Sequence, residues 1–372
     1  MVFNSGPKIF AYLLWPFSLL YGLAAGFRNM LFDLGILNSR EFNLPVISVG
    51  NLSAGGTGKT PFVEFLVSIL KDNFNLATLS RGYKRKTKNF IIADLNSTTD
   101  QIGDEPLQLK KKFPEITVAV DRNRVHGIKQ LIAEDSLLEV ILLDDAYQHR
   151  YVKPGLSILL IDYNKPLSKD HFLPFGRLRE NPVEKKRAHI VVVTKCPSNM
   201  KPIDQRIILK NLYLFAYQKL FFSTIKYLEM VAVFDLIATP MTKESCKLNK
   251  CNILIVTGIA DSRPFRKHVR SISPRIKEIK FKDHHNFSRH DMESIQQAYD
   301  EIENENKLII TTEKDAIRFQ KFHNIADEFK KAWYFIPIEI GFLNNNEDSF
   351  NNYIIDYVTK NRRNNILSSG KN

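Results

Sequence analysis

Lys59 and Thr60 close the stretch "VGNLSAGGTGKTP" (49–61), which follows the apolar run Val46–Val49 and precedes a second apolar periodic segment. An ammonium and a hydroxyl at a glycine-rich strand-to-helix turn suit a polyphosphate. Backbone N–H groups form an anion nest, the lysine reaches the β- and γ-phosphate oxygens, and the hydroxyl ligates Mg²⁺. The strict pattern G-x-x-x-x-G-K-[ST] wants a glycine where Ser53 stands, but a small residue suffices there. Ser53, Ala54, Gly55, Gly56, Thr57, Gly58, Lys59 and Thr60 are therefore the expected nucleotide contacts. Gly55, Gly56 and Gly58 supply positive φ and close approach. Pro61 falls in the first helical turn, where its missing N–H costs nothing.

Such a loop needs an acidic partner at the end of a buried strand. "EVILLDDAYQH" (139–149) provides it: the apolar run Val140–Leu143 ends in Asp144 and Asp145, one of which supports Mg²⁺ directly or through water. The loop alone does not separate kinases from other nucleotide hydrolases. "AGGTGKT" resembles the deviant loop of ParA/MinD-type ATPases, whose signature lysine is Ala54 here. A guanine reader Asn-Lys-x-Asp is missing from "VVVTKCP" (191–197), so guanine specificity is unsupported.

The elements that must hold these groups follow a βαβ rhythm. Strands are expected at Val46–Val49, Leu76–Leu79, Phe90–Ala93, Thr117–Val120, Val140–Leu143, Ile158–Ile161 and Ile190–Val193, with helices at Pro61–Lys71, Asp104–Lys112 and Arg124–Glu134. The fold class is α/β: a P-loop NTPase-like, mostly parallel sheet flanked by helices. The strand-like stretch Phe221–Phe234 reads as a connector. A second, smaller α/β domain follows, with strands Ile253–Val256, Ile276–Phe281, Leu308–Thr311 and Trp333–Ile338 and a helix near Asp291–Glu303. The expected divisions are an N-terminal segment 1–38, a kinase core 39–220, a β-rich connector 221–250 and a C-terminal domain 251–372.

A chain of 372 residues with 44% hydrophobic and 25% charged side chains is an ordinary globular protein of about two domains. Its three cysteines, Cys196, Cys246 and Cys251, are too scattered for a disulfide scaffold or a zinc site, and fit a reducing compartment. The formal net charge of +13 suggests an anionic partner. Because the basic clusters are dispersed and carry no zinc finger, RNA-recognition signature or basic-region helix, nucleic acid is not the expected one.

From Ile9 to Phe27 the chain carries no charge, over about the length that spans hydrocarbon. A secretory signal, a transmembrane anchor, a buried core helix and a helix lying in the interface all fit that run. Pro16, Gly22 and Gly26 interrupt it, while Tyr12, Trp15 and Tyr21 suit a headgroup boundary. Membrane contact without export is the expectation, since a nucleotide site follows immediately.

Nine stretches together resemble one family, the tetraacyldisaccharide 4′-kinases or lipid A 4′-kinases. They are "VGNLSAGGTGKTP", "LSRGYKR" (79–85), "GDEPLQL" (103–109), "DRNR" (121–124), "LLDDAYQHR" (142–150), "PFGRLRE" (174–180), "VTGIADSRPF" (256–265), "FKDHHNF" (281–287) and "TTEKDAIRF" (311–319). They run in order over most of the chain. Ala146-Tyr147 departs from the family's usual Gly-Phe, and Lys153-Pro154 from its Arg-Asp. The resemblance implies ATP- and Mg²⁺-dependent phosphorylation of the 4′-hydroxyl of an acylated glucosamine disaccharide 1-phosphate, at the cytoplasmic face of the bacterial inner membrane. No obligate protein partner is implied. By the same resemblance Asp104 is the catalytic aspartate, His284 the histidine paired with it (His285 being an adjacent rival), and Lys59 the phosphate lysine. Thr60, Glu105 and Asp144 attend the metal. Arg81, Arg122, Arg124 and Arg177 are candidates for phosphate or headgroup contacts. The competing class is a membrane-associated, ParA/MinD-like regulatory ATPase.

Overall fold

The protein is described by a computed structural model over residues 13–234, 241–283, 285–322 and 325–369. These residues divide into two compact units: those up to Ile225 together with those from Ile340 onward, and those within Lys226–Glu339. In chain order the strands begin with β1 (Val46–Gly50), β2 (Leu76–Ser80), β3 (Ile91–Ile92), β4 (Thr117–Val120) and β5 (Val140–Asp144). They continue with β6 (Leu156–Asp162), β7 (Ile190–Thr194), β8 (Lys219–Tyr227), β9 (Val231–Ala232) and β10 (Asn252–Thr257). The last are β11 (Ile276–Lys280), β12 (Lys307–Thr312), β13 (Trp333–Ile336) and β14 (Ile338–Phe342).

The first unit is built on a sheet of order β14-β8-β7-β6-β1-β5-β2-β4-β3. The pairs from β8 through β4 are parallel, and only the two-residue edge strand β3 is shown antiparallel to its neighbour. Strands β1, β5, β6 and β7 are buried along their whole length, as expected of parallel strands covered on both faces. Parallel registration sets Val49 beside Asp144, so the phosphate-loop turn and the acidic strand end emerge side by side. Helices α1 (Trp15–Asp33), α2 (Lys59–Leu70), α3 (Asp104–Lys112), α4 (Arg124–Glu134) and α5 (Pro202–Leu212) precede the C-terminal α6 (Glu347–Ser369).

Helix α1 packs with its polar side inward. Its buried residues are Ser18, Asn29 and Phe32. The Ser18 hydroxyl donates to the Phe172 carbonyl, Asn29 donates to Glu180 at 3.2 Å, and Asp33 pairs with Arg150 at 2.6 Å and Lys186 at 2.9 Å. Leu20, Leu23 and Phe27 remain 63%, 70% and 59% exposed, the reverse of a helix seeking a protein core. Pro16 does not interrupt the helix, as the sequence suggested; it sits in the first turn. Gly22 gives way to the Phe172 ring, which a Cβ there would meet at 2.6 Å. Residues 9–12 of the charge-free run lie outside the described residues. Among the described residues no helix is long and apolar enough to cross a membrane.

The second unit holds a smaller sheet of order β11-β10-β12-β13-β9, parallel but for β9. Phe265, Val269 and Ile272 cover one face, and Met292, Ile295, Phe319 and Trp333 fill the core of the other. The divisions differ from the expected ones. The stretch expected as a connector is partly β8, a strand of the large sheet. The expected strand Trp333–Ile338 breaks at Pro337, which lacks the N–H needed to continue a ladder. Beyond it β14 joins the first sheet, and residues from Ile340 belong to the first unit. Helix α6, which the sequence reading did not anticipate, packs Phe350 against Phe62 of α2 (5.7 Å between ring centroids), Phe221 (5.1 Å) and Phe342 (4.7 Å).

Candidate active site

The phosphate loop lies between β1 and α2. Gly55 (φ +110°) and Gly58 (φ +87°) adopt the left-handed backbone that disfavours other residues, whereas Gly56 does not. Ser53 has no need of glycine's freedom. It forms an isolated antiparallel bridge with Leu178, and the next N–H, of Ala54, donates to the Arg177 carbonyl at 2.6 Å. Fully buried Asn51 laces the turn together. Its Nδ2 donates to the Ser53 carbonyl (2.6 Å) and to Thr57 Oγ1 (2.9 Å), and its Oδ1 accepts from Lys59 Nζ (3.3 Å). From the end of β7, two strands away, Thr194 donates to the Thr57 carbonyl at 2.8 Å, and the next residue, Lys195, paired with Asp162 at 2.9 Å, donates to the Gly56 carbonyl.

The two aspartates after β5 have separate surroundings. Asp145 (φ +48°) ion-pairs with Lys59 at 3.5 Å and accepts both bonds of Arg179 Nη1, at 3.0 and 3.1 Å. Burial works to raise its pKa, but Lys59 and Arg179 outweigh it and hold the carboxyl below its ordinary value. Asp144 is pushed up to about 7, first by burial and then by the nearby negative charges of Glu105 and Asp145. Its buried Oδ1 has no hydrogen-bond partner. Thr60, Ser80, Glu105 and Asp144 line one small cleft. An unpartnered buried carboxylate oxygen, a second carboxylate and a hydroxyl fit a hard divalent cation such as Mg²⁺. That ion uses one or two carboxylates and takes its remaining oxygens from water and phosphate. Accordingly, no cluster of three His, Cys, Asp or Glu poised for a metal occurs among the described residues.

Asp104 opens α3 immediately after Gly103 (φ +93°). A Cβ at Gly103 would stand 2.9 Å from the Tyr83 carbonyl, and one at Gly82 would stand 2.6 Å from the Ile102 carbonyl. The "SRGYKR" and "GDEP" turns therefore touch backbone to backbone, and two motifs far apart in sequence form one wall. Arg81 and Arg122 are exposed. Arg177 is held by Asp170 at 3.0 Å while its carbonyl clasps the loop.

Arg124 differs from the expectation of a ligand contact. It is buried, and its guanidinium donates to the carbonyls of Asp121 (2.8 Å) and Asp144 (3.3 Å). Burial lowers its pKa to about 10, against the pull of Asp144 and Asp145. It braces the end of β5.

His284 lies outside the described residues. Its rival His285 is engaged within the second unit: Nε2 lies 3.0 Å from Asp291 Oδ2, and the ring stacks on Phe281 at 4.8 Å. The motifs "VTGIADSRPF" and "TTEKDAIRF" meet inside that unit. Fully buried Asp315 accepts from the Gly258 N–H (2.9 Å) and the Thr312 hydroxyl (2.8 Å) and pairs with Arg318 at 3.1 Å.

Strand, nested loop, lysine at a helix start and twin aspartates on the adjacent parallel strand define a P-loop nucleotide-binding protein with an added α/β unit. The model of the tetraacyldisaccharide-1-P 4′-kinase family matches residues 10–359. The chain is 47% identical over 365 residues to the tetraacyldisaccharide 4′-kinase of Bacteroides thetaiotaomicron, covering 96% of each. It is 43% identical over 350 residues to that of Flavobacterium johnsoniae, covering 94% of this chain and 97% of the relative. Its fold is similar to that of "apo" form LpxK from Aquifex aeolicus in complex with ATP, with a TM-score of 0.71 and 29% identity over 94% of this chain and 99% of the other. The chain belongs to the tetraacyldisaccharide 4′-kinase family.

Proposed function

We propose that the protein transfers the γ-phosphoryl group of ATP to the 4′-hydroxyl of an acylated glucosamine disaccharide 1-phosphate, a step of lipid A biosynthesis. The observation that carries the site assignment is the convergence of Lys59, Thr60, Glu105 and Asp144 where β1 and β5 end together. The nest and Lys59 hold the triphosphate, and Asp145, itself held by Arg179, orients Lys59. Thr60, Glu105 and Asp144 are the groups that would hold Mg²⁺, which when bound neutralises phosphate charge. Asp104 accepts the proton of the attacking hydroxyl as the new O–P bond forms and ADP departs. His284 keeps that carboxylate ionised and oriented; the engagement of His285 with Asp291 supports this choice between the two histidines. Arg81, in the turn that meets the "GDEP" segment, and Arg122, both exposed, contact phosphate or headgroup. Arg177 acts from the loop clasp.

The acceptor's acyl chains stay in the bilayer, so the enzyme works at the cytoplasmic face of the inner membrane, where ATP is available. The outward apolar face of α1 and the net positive charge support that placement. A regulatory ATPase is disfavoured by Ala54 and by membership of the kinase family. The test is incubation of purified protein with γ-labelled ATP and total bacterial lipid. Label is expected on an acylated disaccharide. Label released only as inorganic phosphate, whether or not lipid is added, would refute the kinase reading.

A further inference from the structure

Helix α5 and the turn after it form a second surface with unusual exposure. Among the residues of α5 none is buried. Asp204, Gln205, Ile208 and Leu212 are its half-buried inner positions, and Ile208 and Leu212 pack against the core. The opposite face carries Ile203, Arg206, Ile207 and Lys210 at helical spacing, all exposed, with Ile203 and Ile207 at 57% and 51%. The helix ends at Tyr213, which holds a left-handed backbone (φ +46°) and is 76% exposed. Phe215 and Tyr217 then stack in the open, with centroids 5.6 Å apart and planes at 12°.

This surface is tied to α1. Gln218 donates to the carbonyls of Lys185 (2.7 Å) and Ala188 (2.8 Å), and the Tyr217 hydroxyl donates to the Lys186 carbonyl. The ammonium of the same Lys186 reaches Asp33 at the end of α1. Val183, in the same segment as these lysines, is also exposed. Aromatic side chains, apolar residues and cations thus continue from the end of α1, whose own outward face is apolar.

We propose that the outer face of α5 and the Tyr213–Tyr217 turn form a second contact with an anionic lipid surface. The inference rests on the membrane reading of α1 and adds a separate footprint to it. Tyrosine and phenylalanine beside lysine and arginine suit the headgroup boundary, where the rings sit at headgroup depth and the cations are drawn to anionic lipid. Two footprints fix the orientation of the unit on the surface, where a single helix would leave it free to roll about its axis.

The natural cysteines are all buried, so Tyr213→Cys in the full chain offers a single accessible thiol for a polarity-sensitive dye. Vesicles of phosphatidylethanolamine with phosphatidylglycerol should shift the emission to the blue, and 1 M salt should reduce the shift. In flotation, Ile207→Ser/Phe215→Ser and Arg206→Gln/Lys210→Gln should each lower partitioning about tenfold with unchanged near-ultraviolet circular dichroism. Emission unmoved by vesicles, or both variants floating like the parent, would overturn the proposal. A shift that follows protein concentration without vesicles would assign the face to a second copy of the chain and overturn it too. The comparison variant Leu20→Gln/Leu23→Gln separates the two readings. If it floats like the parent while the dye still shifts, the α1 reading falls and the second contact stands. If the parent itself does not float, both fall.

Discussion

Replacing Asn51 by alanine removes three interactions at the root of the phosphate loop: the Nδ2 bonds to the Ser53 carbonyl and Thr57 Oγ1, and the Oδ1 bond from Lys59. Each neutral bond contributes about 0.5–1.5 kcal/mol net, and the bond to the charged lysine adds to this, so the expected loss is about 2–3 kcal/mol. Leu52 anchors the start of the turn in the apolar cluster of Tyr147, Leu159 and Leu178, but residues 54–58 beyond it bury no apolar side chain, so the loss should appear mainly as disorder of that part of the loop in the free protein. Nucleotide must then reorder it. At 1.4 kcal/mol per tenfold, the Kd of a non-hydrolysable ATP analogue should rise roughly 30–100-fold. Had the same loss entered global stability, the Tm would fall by roughly 4–10 °C. Titration calorimetry and a melting curve on one preparation separate the two, and a Tm change under half that figure is expected. Asn51→Asp should bind at least as poorly, because it replaces both donors with an acceptor and adds negative charge beside the phosphates. A Kd for Asn51→Ala within threefold of the parent would refute the claim that this side chain preorganises the nest.

The remaining expectations can be checked with the same protein. Lys59→Ala should abolish phosphoryl transfer and leave the circular dichroism spectrum intact; near-normal turnover would remove the loop from the mechanism. Alanine at both Asp104 and His284 should cost little more activity than the worse single change, because residues acting as a unit are not additive; additive losses would mean independent roles. His285→Ala should lower the melting temperature, through its lost contacts with Asp291 and Phe281, more than it lowers turnover. His268, stacked on Tyr227 with a buried unpartnered Nε2, has its pKa lowered to about 4, by burial first and then by Lys243. The folded pKa lies below the unfolded value of about 6.5, so the unfolded chain takes up its proton first as pH falls. This stabilisation is complete above about pH 6.5 and is lost towards pH 4; allowing for half-exposure, it amounts to about 1–2 kcal/mol. Urea midpoints followed through buried Trp333 should therefore depend less on pH between 7 and 4 in His268→Gln than in the parent; equal slopes would remove His268 from the acid response.

What could be read from the residues was whatever depends on local order. The apolar runs of β1, β5 and β7 are continuous because parallel strands are covered on both faces, and the loop and twin aspartates are anchored to their ends. That Arg124 is buried, where it bonds to backbone carbonyls, could have been read from its helix. Positions 124, 127, 128 and 131 repeat at helical spacing and are the buried ones, so the arginine faces the sheet. Asn51, Arg179, Thr194 and Lys195 give no such signal. Their work is done on partners brought near only by the packing of strands and turns. The unit boundaries were hidden for a similar reason: Pro337 divides what reads as one apolar strand, and its two halves enter different sheets.

The return of the chain to its first sheet has a consequence during synthesis. Phe62, three residues after Lys59 begins α2, is covered by Phe350, and the whole second unit must leave the ribosome before that ring arrives. Through most of translation the helix that carries Lys59 therefore lacks the C-terminal ring that covers its aromatic face, and that face is closed only after the second unit has been made.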